Sequence, residues 1–478
     1  MYEKMSVSEI SRMIRNREVK PSEICADFLS RIDKQESEIN AFINIDGEAV
    51  MQRAKDLDGQ DDGRTVLFGI PVAVKDNICT RDLPTTCGSK MLENFRPPYD
   101  ATVISRLREQ GAIIIGKTNM DEFAMGGSTE TSFFGATRNS HDLTRTPGGT
   151  SGGSAAAVAA GMSPCSLGSD TGGSIRQPAG FCGLVGYKPS YGAVSRNGLV
   201  SYAGSFDQIG PITRTVSDAA LLAAAISGYD ATDAVSNPNY SPDFSDIIEG
   251  RAISLKGRRI GILKECLADG INDDVRAAVM SAADIYKSLG AELVDISVPA
   301  IEHSLPVYYI IALAEASSNL AKFDGVQFGY RAANCSDTDS LYINSRTEGF
   351  GAEVKKRIIL GTYILSADNY EAYYKKARAG QAMLREQFKA VFEKCDVILA
   401  PITPGTAYKL GEKEQDPVKL YLNDICTVPA NIAGLPAISV PCAKDASGLP
   451  IGVQLLGSRF EDAQLLAFAH ALEHEISG

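Results

Sequence analysis

The sequence predicts an α/β protein with a mixed, largely parallel central sheet covered by helices on both faces. Three observations carry this reading. Apolar runs ending near Lys75 and Asn119 flank an amphipathic stretch, so strand, helix and strand follow one another with no hairpin turn. The same order recurs over 258–299. Near the end of the chain, LPAISVP (435–441) and PIGVQLLG (450–457) read as two late strands joined by a glycine-containing turn at 447–448.

The elements follow in order. Residues 6–16, 21–38 and 46–57 read as helices, the second opened by Pro21 and Ser22 and carrying Ile24, Phe28, Leu29 and Ile32 at helical spacing. Residues 1–60 thus form a helical lead-in. VLFGIPVAVKDN (66–77) reads as a buried strand with Lys75 at its C-terminal end, and ATVISRLREQG (101–111) as a helix closed by Gly111. AIIIGKTN (112–119) is the next strand. Residues 126–210 are rich in Gly, Ser and Thr, a composition that also suits a linker. The Ala-rich helix SAAAVAAG (154–161) and the apolar piece at 183–187 make this stretch ordered core. A helix over 214–229 and a surface excursion over 230–256 come next, then a strand at 258–265, a helix at 273–289 and a strand at 291–299. Residues 300–395 are mainly helical, and a last helix covers 461–475. The whole of 1–478 is expected to form a single domain.

Composition bounds the function. The chain has 478 residues, 44% hydrophobic and 22% charged, as in an ordinary globular protein. Its formal charge of −12 argues against gripping nucleic acid unaided, because that affinity rests on cations facing phosphate. A partner could still hold the nucleic acid. The ten cysteines contain no C-x-x-C pair and read as reduced, mostly buried side chains of a cytoplasmic protein. The N-terminus lacks the apolar run of a signal peptide, and no stretch reaches the ~18 apolar residues of a membrane span.

The chemistry concentrates in 147–183. Gly172 and Gly173 precede Ser174, and glycines let the backbone turn sharply and approach a ligand. Consecutive N–H groups over Thr171, Gly172 and Gly173 can form a nest for a developing oxyanion, with Ser174 as nucleophile. A serine needs a base. Of four histidines, only His141 is near this segment in sequence, and no G-x-S-x-G elbow is present. Lys75, at the end of an apolar strand, becomes a base if burial lowers its pKa from ~10.4. The hydroxyl of Thr150 or Ser151 could then carry the proton between Ser174 and Lys75. GGTSGGSA could instead cradle phosphate at a helix N-terminus, but it lacks the G-K-[ST] ending of a P-loop. On the residues alone, a Lys–Ser pair, a histidine-based arrangement and plain turns all remain open.

GGTSGGSAAAVAAG (148–161), GSDTGGSIRQPA (168–179) and AVKDN (73–77) together resemble the signature of the amidase signature family, and the resemblance runs along nearly the whole chain. It implies that Lys75 is the base, Ser174 the nucleophile, and position 150 the bridging residue on a cis peptide. The family usually has serine at the bridge. Here it is Thr150, which keeps the hydroxyl but adds a methyl and stiffens χ1. Ser151 is the alternative bridge, with Thr150 favoured by spacing.

The segments 119–135, 315–331, 353–366, 370–377 and 422–441 resemble the branch of the family formed by the A subunits of bacterial glutamyl-tRNA(Gln) amidotransferases. That resemblance implies glutamine hydrolysis, with ammonia passed to a B subunit that holds Glu-tRNA(Gln) and uses ATP and magnesium, and with a C subunit in the same complex. It leaves open whether Asp-tRNA(Asn) is also amidated. It implies no cofactor in this chain. Arg357 is then expected to clamp the glutamine α-carboxylate, Asp424 to hold the ammonium, and Tyr308, favoured over Tyr309, to add a hydrogen bond. The rival readings are a stand-alone amidase for another small amide and a non-catalytic scaffold subunit.

Overall fold

A computed structural model describes residues 1–60, 65–251, 253–267, 270–412 and 423–477. Leu422, the first residue of the segment 422–441, lies outside the described residues. Among them, eleven strands build one sheet. In chain order these are β1 (Phe42–Asn44), β2 (Pro71–Lys75), β3 (Ile113–Thr118), β4 (Cys165–Asp170), β5 (Val185–Lys188), β6 (Gln208–Thr213), β7 (Arg259–Leu263), β8 (Glu292–Ile296), β9 (Val397–Pro401), β10 (Ala437–Lys444) and β11 (Pro450–Gly457). Their spatial order is β1-β3-β2-β4-β6-β5-β10-β11-β9-β7-β8.

The sheet is mixed, but less parallel than the sequence suggests. The two strand–helix–strand units give parallel flanks, β3-β2-β4 and β9-β7-β8. Between them β4, β6, β5, β10, β11 and β9 pair antiparallel. Five of these strands, β1, β4, β5, β6 and β9, escape the sequence reading, β5 (Val185–Lys188) lying in what reads only as an apolar piece at 183–187. β4 and β6 lie in the Gly/Ser/Thr-rich stretch and are buried along their whole length, so they show no alternation. β9 follows a long helical region, and β1 is three residues long.

The helical lead-in is a set of three helices, Val7–Arg15, Pro21–Ile39 and Gly47–Asp58. Ile10, Ile24 and Phe28 are fully buried in a core shared with β2 and β3. The Val7 N–H donates to Asp218 at 2.8 Å, tying the first helix to the helix Val216–Ile226. The 300–395 region is helical as expected, chiefly over Ser304–Asn319, Thr338–Gly349, Ala352–Leu365 and Lys376–Phe392.

Two features position the site. β2 and β4 are parallel neighbours, with Val74 opposite Leu167, so Lys75 and Ser169 emerge together at one sheet edge. Ligand sites of open α/β sheets form beyond such strand ends. The helices Ser304–Asn319 and Ala352–Leu365 cross closely because Gly361 has no side chain. A methyl there would sit 2.0 Å from the Leu313 carbonyl oxygen. Gly361→Ala should therefore force the helices apart and cost about 1–3 kcal/mol, as overpacked cores do; urea unfolding of the variant measures it.

Candidate active site

The lysine comes first. Lys75 is fully buried, and its Nζ donates to Thr150 Oγ1 at 2.6 Å, to Ser169 Oγ at 2.9 Å and to the Ser169 carbonyl at 3.2 Å. Burial pulls its pKa down to about 7, against the opposing pull of Asp121, Asp170 and Asp207. The adjacent carboxylate, Asp76, has its own buried ammonium: Lys117 lies 3.3 Å from it. Among the described residues, no carboxylate is ion-paired with Lys75, so the neutral amine is accessible near neutral pH. Burial alone does not mark a base. Lys188 is equally buried and also lowered to about 7, but its Nζ donates to the Pro189 carbonyl at 2.9 Å.

Thr150 follows a cis Gly149–Thr150 peptide bond. A methyl at Gly149 would lie 2.3 Å from Asp121 Oδ2, so only glycine lets the chain pass there. Of the two candidate bridges, Thr150 faces Lys75. Ser151 turns away: its Oγ donates to the Ser169 carbonyl at 3.2 Å and accepts from the Ser169 N–H at 3.3 Å. The Ser151 N–H donates to the Ser174 carbonyl at 3.1 Å, which brings the two hydroxyl-bearing loops together.

Ser174 is 8% exposed and ends a loop pinned by one carboxylate. Asp170 accepts from the N–H groups of Gly173 (2.8 Å) and Ile175 (3.2 Å), from Arg176 Nε (3.0 Å) and Nη2 (3.1 Å), and from Asn431 Nδ2 (2.8 Å). Burial works against this charge, but the Arg176 guanidinium outweighs it and holds the carboxyl well below its ordinary range. The Gly173 N–H, expected to serve an oxyanion, donates here to Asp170, and the N–H groups of Thr171, Gly172 and Ser174 are the loop's other candidate oxyanion donors. Gly173 has φ +124°, a conformation that turns its N–H toward Asp170 and favours glycine.

The opposite wall comes from the helical region. Tyr308 and Tyr309 lie on the helix Ser304–Asn319, and Arg357 lies on Ala352–Leu365. A methyl at Gly172 would sit 2.6 Å from the Tyr308 hydroxyl, so that hydroxyl abuts the nucleophile loop. Tyr309 instead donates to Asp424 at 2.6 Å. Its ring centroid lies 5.9 Å from the Arg357 guanidinium carbon. Arg357 is buried and donates to Glu353 at 2.8 Å and to the Tyr202 hydroxyl at 2.9 Å. Although burial disfavours its charge, Tyr202, Tyr309 and Glu353 keep its pKa above the ordinary value. Tyr309 thus meets both a cation over its ring and an anion at its hydroxyl.

Arg357 and Asp424 are both linked to the serine loop. Thr427 Oγ1 donates to the Gly172 carbonyl at 2.6 Å, and the Thr427 N–H donates to the Asp424 carbonyl at 3.0 Å. Thr171 Oγ1 donates to Asp207 at 2.6 Å, and Asp207 also accepts from the Tyr202 N–H at 3.0 Å. The histidine alternative is not brought to the site: the His141 ring contacts the Cys182 carbonyl at 3.1 Å. Among the described residues there is no cluster of His, Cys, Asp and Glu able to hold a metal ion.

A buried lysine, a threonine hydroxyl bonded to it and a serine loop on a mixed α/β sheet define an amide-hydrolase class of site, and the chain belongs to the amidase family, which it matches over residues 23–466. More particularly, it is 50% identical over 477 residues to the A subunit of glutamyl-tRNA(Gln) amidotransferase from Staphylococcus haemolyticus, covering 99% of this chain and 97% of the relative. It is likewise 50% identical over 471 residues to the protein of the same name from Caldanaerobacter subterraneus, covering 98% and 96%. The crystal structure of the A subunit of glutamyl-tRNA(Gln) amidotransferase from Thermotoga maritima superposes with a TM-score of 0.82 at 42% identity, over 99% of this chain and 95% of that one. The peptide amidase of Stenotrophomonas maltophilia shares the fold with a TM-score of 0.84 at 27% identity, over 100% and 98%.

The residues that sequence reasoning missed are the ones that hold others in place: Asp170, Arg176, Asp207, Tyr202, Glu353 and Thr427. Asp170 and Arg176 carried a signal, being opposite charges on either side of the candidate nucleophile inside an otherwise uncharged segment. Arg176→Met should leave Asp170 buried and unpaired and destabilise the fold by about 3–5 kcal/mol. Without Arg176 the carboxyl titrates above its unfolded value of ~3.9, so protonation relieves the variant, while the wild type loses stability as its depressed carboxyl is forced neutral. The deficit in urea unfolding should therefore narrow as pH falls.

Proposed function

We propose that this chain hydrolyses glutamine and releases the side-chain ammonia for a tRNA-dependent amidotransferase reaction, converting Glu-tRNA(Gln) to Gln-tRNA(Gln). The observation that carries the proposal is that Arg357 and Asp424 both meet Tyr309, next to Tyr308, whose hydroxyl abuts the Ser174 loop. A guanidinium suits the α-carboxylate of a free amino acid and a carboxylate suits its ammonium. We assign to the Tyr308 hydroxyl, which abuts Gly172, a hydrogen bond to the substrate.

The chemistry is covalent. Neutral Lys75 accepts a proton from Thr150 as Thr150 takes the proton of Ser174. Ser174 Oγ bonds to the side-chain amide carbon. The tetrahedral oxyanion is met by N–H groups of Thr171, Gly172 and Ser174. The relay returns its proton to the leaving nitrogen, ammonia departs, and water cleaves the glutamyl ester to release glutamate.

The ammonia requires a receiving partner. We assign that role to a B subunit that binds Glu-tRNA(Gln) and activates it with ATP and magnesium, in a cytoplasmic complex with a C subunit. The acidic surface of this chain agrees with leaving the tRNA to the partner. No helix among the described residues is long and apolar enough to cross a membrane.

A lysine is a base only when neutral. With Lys75 at about 7, glutaminase kcat/KM should rise with pH through neutrality and level off above it. Ser174→Ala should abolish glutaminase activity. Lys75→Ala should lower it by about 10²–10⁴-fold and remove the pH limb. A Ser174→Ala complex with wild-type glutaminase rate would overturn the assignment. Thr150→Ala should lower kcat by about 10²-fold, whereas Ser151→Ala, which loses only bonds to the Ser169 backbone, should be much milder; steady-state rates of the two variants decide between the bridges.

A further inference from the structure

Two hydroxyls lie within reach of the proposed base, and only Thr150 has a part in the proposed relay to Ser174. Lys75 Nζ lies 2.6 Å from Thr150 Oγ1 and 2.9 Å from Ser169 Oγ. A neutral amine has two N–H bonds and one lone pair. To accept the proton arriving through Thr150, that lone pair must point at the Thr150 hydroxyl. If the Ser169 hydroxyl donated to it instead, the base would be occupied by a group outside the relay. Something has to set the direction of the Ser169 hydrogen.

Asn77 is that group. Its Nδ2 donates to Ser169 Oγ at 2.9 Å. Both residues are 2% exposed, so water does not compete freely for either. The other amide atom, Oδ1, has no hydrogen-bond partner among the described residues, so the contact to Ser169 is the one this buried amide makes. The Asn77 carbonyl accepts from the Val200 N–H at 2.8 Å, which anchors the residue itself.

We infer that Asn77 is a positioning residue that keeps Ser169 an acceptor toward Lys75 and thereby directs the lysine lone pair onto Thr150. A hydroxyl oxygen has two lone pairs. With Lys75 on one and Asn77 on the other, the Ser169 hydrogen points away from the amine. The amide oxygen in the same place would draw that hydrogen toward Asn77, with the same result. Lys75 then places its two N–H bonds on Ser169 Oγ and the Ser169 carbonyl, and its lone pair faces the remaining neighbour, Thr150. Asn77 does not touch the substrate and acts only through Ser169.

This inference rests on the glutaminase reading above. The test is a double-mutant cycle on the assembled amidotransferase containing the wild-type chain, Asn77→Leu, Ser169→Ala or both, with glutamine varied. Asn77→Leu should lower kcat roughly tenfold or more, a fraction of the 10²–10⁴-fold a general base contributes, with KM unchanged. In the Ser169→Ala background no competing hydroxyl exists, so adding Asn77→Leu should cost less than about threefold, near the additivity limit of such cycles. Equal losses in both backgrounds, or a loss in KM alone, overturn the inference. A wild-type complex with no glutaminase activity overturns the functional reading itself, and thermal melting of each protein separates both results from misfolding. If Asn77→Leu does not fold, Asn77→Ala carries the same comparison.

Discussion

The buried pair of Asp170 and Arg176 is the constraint on which the rest of the site depends. One carboxylate receives two backbone N–H groups of the serine loop, two guanidinium bonds and an amide bond from Asn431. Arg176 continues the network to the Thr427 carbonyl and to Gln454 of β11. A buried ion pair contributes little net stability, because desolvation offsets much of its attraction. Its effect here is geometric. It ties the loop that carries Ser174 to a strand end, to a late helix and to the turn that carries Asp424, so the serine and the anionic arm of the pocket share one anchor.

The basic end of the site works by a complementary rule. Lys75 has been given hydroxyl and carbonyl neighbours but no paired carboxylate, and burial brings its pKa to about 7. The nearby aspartates each have other commitments: Asp76 to Lys117, Asp121 to the 128–131 turn, Asp207 to the Thr171 and Ser201 hydroxyls and the 202–203 backbone. Their field keeps the amine from falling further, and their distance keeps it from staying charged. A carboxylate in direct contact would favour the charged form and remove the base.

Much of this is written along the chain, and some of it cannot be. The parallel flanks are legible because β2, β3, β7 and β8 are apolar runs separated by helical periodicity. β4, β5 and β6 are not, because strands buried along their whole length carry no alternation. Lys75 and Ser174 stand out by motif and by the scarcity of histidine. Thr150 and Ser151 are neighbours with the same functional group, and only their opposite directions after the Gly149 turn distinguish them. The same holds for Tyr308 and Tyr309, which a helix sends to the serine loop and to Asp424 respectively. The Gly173 N–H goes to Asp170 through a positive φ that the residue type permits but does not announce.

The groups around Ser174 come from two sources. The proposed proton relay comes from strand ends and tight turns between residues 75 and 176, where a methyl at Gly149, Gly152, Gly153 or Gly172 would clash with a neighbour. Arg357, Glu353 and Tyr308 come from two helices that cross closely at Gly361, and the Tyr308 hydroxyl abuts the serine loop at Gly172. The molecule is therefore modular in an evolutionary sense. Selection can rebuild the helical wall around a different amide, charged or neutral, while the hydrolytic half is inherited unchanged. A lineage that does so acquires a new substrate without having to rediscover a reaction.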